Sequence, residues 1–308
     1  MTVQTWIVVV YIILLLASIW LAWRQGKSFP FGESIVVLAI VGAGFTGLVY
    51  LSTLFLDTQP LQLDVSAGEL IFVLAYVVVI AALLVFRRGS EKGNGFIAKK
   101  ASVLAFKLIF FVAIPFAALR LLWNASWASL GFHAGDVKGQ LLSAAILILF
   151  IGGFNLLVGS AAKPLREKQF TAKQAALGFG IAFLWNALEV GLVEEFFFRS
   201  FLQTRLIAAL GSPLAGICLA SLLFGLAHAP GIYLRKADKG GPLGESPTLL
   251  NSILYTVIVL SPAGWFTGLL YWKTQSLLAP ILLHAAVDAV ANTTEFIEGL
   301  KLAKGENA

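Results

Sequence analysis

Apolar residues run along this chain in long, nearly unbroken blocks rather than in the one-sided or alternating patterns of a water-soluble fold. Nine blocks approach the roughly 20 residues that a helix needs to cross ~30 Å of hydrocarbon. They run from Trp6 to Trp23, Ile35 to Leu56, Leu70 to Phe86, Val103 to Trp123, Leu141 to Val158, Ala175 to Phe198, Pro213 to His228, Leu249 to Trp272 and Leu277 to Ala291. Such lengths exclude a transmembrane β-barrel, whose strands alternate and stay near ten residues. Backbone N–H and C=O groups find no partners in lipid, so each block is expected to be a helix. The fold class is therefore all-α: a polytopic membrane helix bundle of about eight to nine transmembrane helices.

Composition sharpens this picture. The 308 residues are 59% hydrophobic and 12% charged, where soluble proteins carry roughly 25% charged residues, and mean hydropathy is +0.88. A soluble globule and a disordered chain are both excluded. Cys218 is the single cysteine, so no disulfide framework forms within the chain. The net charge of +6 comes from basic residues dispersed among loops, with no basic stripe interleaved with aromatics; the partner they imply is the lipid bilayer and not nucleic acid. The first block lacks a positive leader and ends in Trp20, Trp23 and Arg24, so it reads as a retained helix with interfacial anchors. Lys and Arg crowd into alternate loops, which by the positive-inside rule sets the N-terminus outside. The expected location is an integral, multi-pass position in the cell (inner) membrane, with an organelle membrane as the alternative. Residues 1–308 read as one membrane domain, with 1–174 as scaffold helices and 175–292 as the chemical core. The turn-rich stretches 89–94 and 240–247 are expected to be mobile loops.

An ionisable side chain at membrane depth costs several kcal/mol, so each one marks a function or needs a partner. The blocks hold few: Lys107, Glu189, Glu194, Glu195, Arg199, His228, His284 and Asp288. Lys107 is expected to snorkel from near a helix end, and Glu189 either lines a shared cavity or pairs with a neighbour. His133, in a loop between Gly131 and Gly135, reads as structural. The other six form three clusters. In Glu194-Glu195-Phe196-Phe197-Phe198-Arg199, helical spacing lets Glu195 pair with Arg199 and turns Glu194 about 100° away, with no partner inside the motif. In Phe224-Gly225-Leu226-Ala227-His228 the histidine closes an apolar helix just before Pro230. In His284-Ala285-Ala286-Val287-Asp288 the imidazole and the carboxylate share a helix face. Gly211-Ser212-Pro213 marks a turn, and Glu194 and His228 lie about equally far from it along the chain, ~24 to 26 Å at helical rise.

Two histidines and nearby carboxylates in a cavity that admits water suit hydrolysis, with Glu194 as general base toward a water molecule. Nucleophilic catalysis has little support. No Gly-x-Ser-x-Gly occurs, and Cys218 lies in an apolar helix without an adjacent base. The His-Glu-x-x-His arrangement of common zinc proteases is also absent.

Taken in order on separate helices, the three clusters resemble the motifs of the CPBP family of intramembrane proteases, the CAAX-processing and bacteriocin-processing enzymes also called the ABI family. This family includes the type II CAAX prenyl endopeptidases. The stretch from Gly268 to His284 is also similar to the family's, and the resemblance spans about residues 175 to 292. It implies a CPBP-type intramembrane metalloprotease in which Glu194 activates the attacking water with help from His228. His284 and Asp288 then stabilise the oxyanion or, with His228 and Glu194, hold a metal. Glu195, Arg199 and Phe224 are supporting residues. The family's usual Asn is Asp288 here, and an ionised Asp donates no hydrogen bond to an oxyanion. Two His, a carboxylate and one open position therefore favour a zinc cofactor, with a metal-free mechanism using the same residues as the alternative. The implied substrate is a protein or peptide, prenylated or membrane-anchored. Two competing readings use the same residues: a transporter or proton relay, and a catalytically inactive family member acting as an assembly or immunity factor.

Overall fold

The computed structural model describes residues 2–56, 63–87, 95–234, 243–244 and 247–303. Among them there is no strand. Eight helices are long and apolar enough to cross a membrane: α1 (Val3–Arg24), α2 (Phe31–Ser52), α3 (Ala67–Leu84), α4 (Phe96–Trp123), α5 (Val137–Val158), α6 (Ala172–Leu210), α7 (Pro213–Tyr233) and α8 (Leu249–Thr274). A further helix, α9 (Leu278–Ala303), is 26 residues long and outruns the expected block ending at Ala291. The all-α polytopic bundle expected from the blocks is what the chain forms. Of the two turn-rich stretches, 89–94 lies wholly outside the described residues, and 240–247 does so except at 243–244 and 247.

Lipid is the solvent this surface requires. Along α1, Trp6, Val10, Ile13, Leu16, Trp20 and Trp23 are all exposed, and only Ser18 and Ala22 are buried. In water such a continuous apolar face would drive aggregation; in a bilayer it is solvated. The chain is an integral, multi-pass membrane protein.

Helix starts follow from local chemistry. The side chains of Thr2, Asp136, Ser212 and Thr248 each accept a hydrogen bond from the backbone N–H three residues on, satisfying one of the donors a helix leaves open. Thr171 and Gln174 form a reciprocal capping box at the start of α6. The expected turn at Gly211 is present: Gly211 takes the left-handed conformation (φ 60) that stops α6, and Ser212 with Pro213 starts α7.

α6 is the unusual element. The expected block ends at Phe198, but the helix runs on to Leu210, unbroken for 39 residues. Its middle is not uniformly α. Ala187–Leu192 and Phe196–Gln203 are π-helical, and between them lies a single α turn, Val193–Glu195. Each π turn accommodates about one residue more than an α turn, so side-chain directions after Asn186 depart from a simple 100° step.

The chain packs as two compact units: one of residues 1–51, 60–85 and 202–273, the other of residues 52–59, 86–201 and 274–308. In the first, Ala22, Phe29, Leu254, Ile258 and Val259 form a buried apolar cluster. Arg205 is fully buried there and paired with Glu69, Nε to Oε1 3.0 Å. In the second, Ala182, Ala289 and Phe296 pack α6 against α9. That contact is close because Gly191 faces it: a Cβ on Gly191 would stand 2.9 Å from the backbone oxygen of Ile281.

Candidate active site

The three phenylalanines inside the acid motif anchor α6 in the second unit. Phe197 packs on Phe111 of α4 with ring centroids 4.9 Å apart, and Phe196 stacks on Phe132 at 6.1 Å. These rings are fully or almost fully buried, so the acid pair beside them is held by apolar packing on a neighbouring helix. α9 is fixed separately: Leu277 N–H donates to Gly131 O at 3.0 Å, just ahead of its first turn, and Gly191 brings its early residues against α6.

Held this way, α6 and α9 bring four of the expected residues together. Glu195 is fully buried and uses both oxygens: Oε2 accepts from Arg199 Nε at 2.9 Å, and Oε1 accepts from His284 Nδ1 at 2.7 Å. Arg199 is also fully buried. Asp288 and Glu194 lie near enough to act electrostatically on His284. One turn of α9 and one turn of α6 thus gather Glu194, Glu195, His284 and Asp288, with Arg199 as the nearby cation.

Glu195 therefore does more than pair with Arg199. Because its carboxylate accepts from Nδ1, the neutral His284 ring carries its lone pair on Nε2, the nitrogen turned away from the acid. A histidine fixed through one nitrogen in this manner is oriented to meet a water, substrate or metal through the other. His228 is fixed by the same device in the first unit. Its Nδ1–H donates to Phe224 O at 2.8 Å, and the Phe224 ring lies 4.7 Å from the imidazole. Phe224 supports His228 through its backbone as well as its ring.

Lys107 corrects a sequence expectation, and Glu194 finds its partner outside its motif. Glu194 has a cation beside it: Lys107 Nζ stands 3.6 Å from Glu194 Oε1. Lys107 does not snorkel toward an interface. It lies within α4 and turns to α6, where it also reaches Glu189 Oε1 at 3.6 Å and donates to Glu189 O at 3.3 Å. Snorkelling would expose the ammonium, but the anions packed against it offer a better partner than a distant water layer. Glu189 takes the pairing option, since its other oxygen accepts from Trp185 Nε1. The signal for Lys107 was available in the sequence: a lysine inside an apolar block, on a chain whose later blocks carry several acids.

Among the described residues, no three His, Cys, Asp or Glu side chains are gathered as a metal ion would require. The imidazole and carboxylates at His284, Asp288 and Glu194 are of the types that ligate zinc, and Glu195 fixes the imidazole through Nδ1 as a zinc-bound histidine is commonly fixed.

A multi-pass helical membrane protein with an acid–imidazole cluster buried among its helices is the class that fold and site define. Residues 176–290 match the family model Type II CAAX prenyl endopeptidase Rce1-like. The match agrees with the CPBP resemblance and covers the segment that carries all three motifs. No curated protein and no solved structure matches the chain.

Proposed function

We propose that the protein is an intramembrane endopeptidase that hydrolyses a peptide bond at or near the membrane surface, in a protein or peptide that is prenylated or otherwise membrane-anchored. The cell (inner) membrane is its proposed location, and residues 175–292 are proposed to carry the chemistry on scaffold helices drawn largely from 1–174. The carrying observation is the adjacent pair Glu194 and Glu195 on one α turn, with His284 held by Glu195 and Asp288 close by.

Glu194 acts as general base. It takes a proton from a water whose oxygen attacks the scissile carbonyl carbon; as the C–N bond breaks, that proton passes to the departing nitrogen. Glu195 orients His284 and balances its charge, so that in the protonated form Nε2–H donates to the developing oxyanion. Asp288, one helical turn after His284, helps set the imidazole's orientation. His228, its Nδ1–H committed to Phe224 O, carries its acceptor lone pair on Nε2. Arg199 holds Glu195 in place through its Nε–H donated to Oε2.

Cleavage of a farnesylated CAAX peptide by the purified protein in proteoliposomes tests this directly. Glu194→Gln is expected to lower the rate by about 10²- to 10⁴-fold, the usual contribution of a general base, while the protein stays folded. Undiminished cleavage by that variant would overturn the assignment. A chelator separates the two forms of the mechanism: cleavage that is lost on chelation and regained with zinc adds a metal to the water-activating group, and cleavage that persists leaves the side chains acting alone.

A further inference from the structure

We propose that Lys107, on α4 and outside the matched segment, is a positioning residue for Glu194 and acts by tying it to the π turn that precedes it. The inference rests on Glu194 being the base. Its starting point is a mismatch of phase. Glu189 and Glu194 are five residues apart on α6, and on an α-helix side chains at that spacing diverge by about 140°. Both nevertheless reach the same ammonium, each with Oε1 at 3.6 Å from Lys107 Nζ. Glu189 lies within the π turn Ala187–Leu192 and Glu194 two residues past its end, and the i→i+5 pattern of that turn brings residues five apart onto one side.

The ammonium's three donors match what it meets. It faces the Glu189 carboxylate, the Glu194 carboxylate and the Glu189 backbone oxygen at 3.3 Å. The backbone contact is informative, because it ties Lys107 to the main chain of the π turn and not only to two mobile carboxylates. Trp185 Nε1 donates to the other Glu189 oxygen and so holds that acid from the preceding turn. The chain of contacts runs from Trp185 through Glu189 and Lys107 to one oxygen of Glu194. It fixes the direction of the carboxylate from the side of α4, whereas Glu195, its neighbour, is fixed from α9 by His284 and within α6 by Arg199. Adjacent acids are thus steered by different helices. An ammonium inside an apolar block is costly unless such partners meet it, which accounts for a lysine among Phe106, Leu108, Ile109 and Phe110.

Steady-state cleavage by Lys107→Met, Lys107→Arg and the double variant Lys107→Met/Glu189→Gln tests the role. Lys107→Met is expected to lower kcat by about 10- to 100-fold, the scale of a misplaced catalytic group, with KM changed less than about twofold. Lys107→Arg is expected to recover most of kcat. The double variant relieves the carboxylate stranded by the first change, so it keeps the test open where Lys107→Met fails to fold; its kcat is also expected to stay low. Wild-type kcat in either charge-removing variant would overturn the inference. Glu194→Gln in parallel keeps the two readings apart: if it cleaves normally, the assignment of the base fails, and if it is dead while Lys107→Met is fully active, only the positioning role fails. A thermal-unfolding cycle of Lys107→Met, Glu194→Gln and both together reads the contact without any cleavage. Non-additive shifts in Tm are expected, and strictly additive shifts would count against the pairing.

Discussion

Two buried arginine–carboxylate pairs hang from α6 only six residues apart, and their difference says more about function than either pair alone. Arg205 reaches Glu69 of α3 across 136 residues, Nε to Oε1 3.0 Å, and Glu69 sits in the first turn of its helix with its N–H donating to Ser66 Oγ. Arg199 reaches back one turn to Glu195, Nε to Oε2 2.9 Å. Both arginines have no exposed surface. By itself a buried ion pair is weak evidence of anything beyond the cost of breaking it. What distinguishes the second pair is its third member, since the oxygen of Glu195 not used by Arg199 holds His284. One carboxylate joins helices; the other joins a helix to a side chain with work to do.

Charge removal breaks the comparison most strongly. Removing only one partner, as in Glu69→Leu or Glu195→Leu, leaves a buried guanidinium uncompensated and is expected to cost about 3–5 kcal/mol in either pair, read as a fall in Tm in detergent. Removing both partners separates them. Glu69→Leu/Arg205→Met is expected to regain most of the lost stability and to cleave normally per folded molecule. Glu195→Leu/Arg199→Met is expected to regain stability but to lose cleavage by at least about 100-fold, because His284 loses the group that orients it. Full activity in the second double variant would erase the distinction.

A smaller effect is expected where α6 meets α9. Gly191→Ala places a Cβ 2.9 Å from Ile281 O, which is backbone and yields only if a helix shifts. Overpacking of this kind costs about 1–3 kcal/mol. Since the same contact sets the distance from Glu195 to His284, cleavage is expected to fall along with Tm; a fall in Tm alone would mean that the site tolerates the displacement. Smallest is Thr171→Ala at the capping box of α6, expected to cost about 1 kcal/mol with kcat unchanged, because it lies more than twenty residues before the acids.

Much of this architecture was legible in the sequence because lipid leaves the backbone few options. Long apolar blocks must be helices, and Ser212-Pro213 after Gly211 must be a turn. The same logic picked out Glu194, Glu195, His284 and Asp288 as costly residues, and four-residue spacing gave the Glu195–Arg199 pair. Two things escaped. The reading from spacing assigned Glu195 to Arg199 alone, since nothing in a linear pattern says that a carboxylate has a second customer from a helix 89 residues away. It also left Glu194 without a cation. Lys107 was visible, but a fixed step of 100° per residue cannot reveal that Glu189 and Glu194 face one side, because π turns carry no clear signature in hydrophobic periodicity.

The interrupted winding of α6 also constrains how such a helix changes over generations. A π turn is an α-helix holding one surplus residue, so a single-codon deletion anywhere in 187–192 is absorbed without disturbing the hydrophobic span on either side. A deletion among 190–192 would leave four residues from Glu189 to the first acid of the pair, an α-helical spacing that keeps both on one side and leaves the pair facing as before. Length variation that would rotate the acid pair by about 100° elsewhere in a membrane helix is, at this point, taken up by the winding itself.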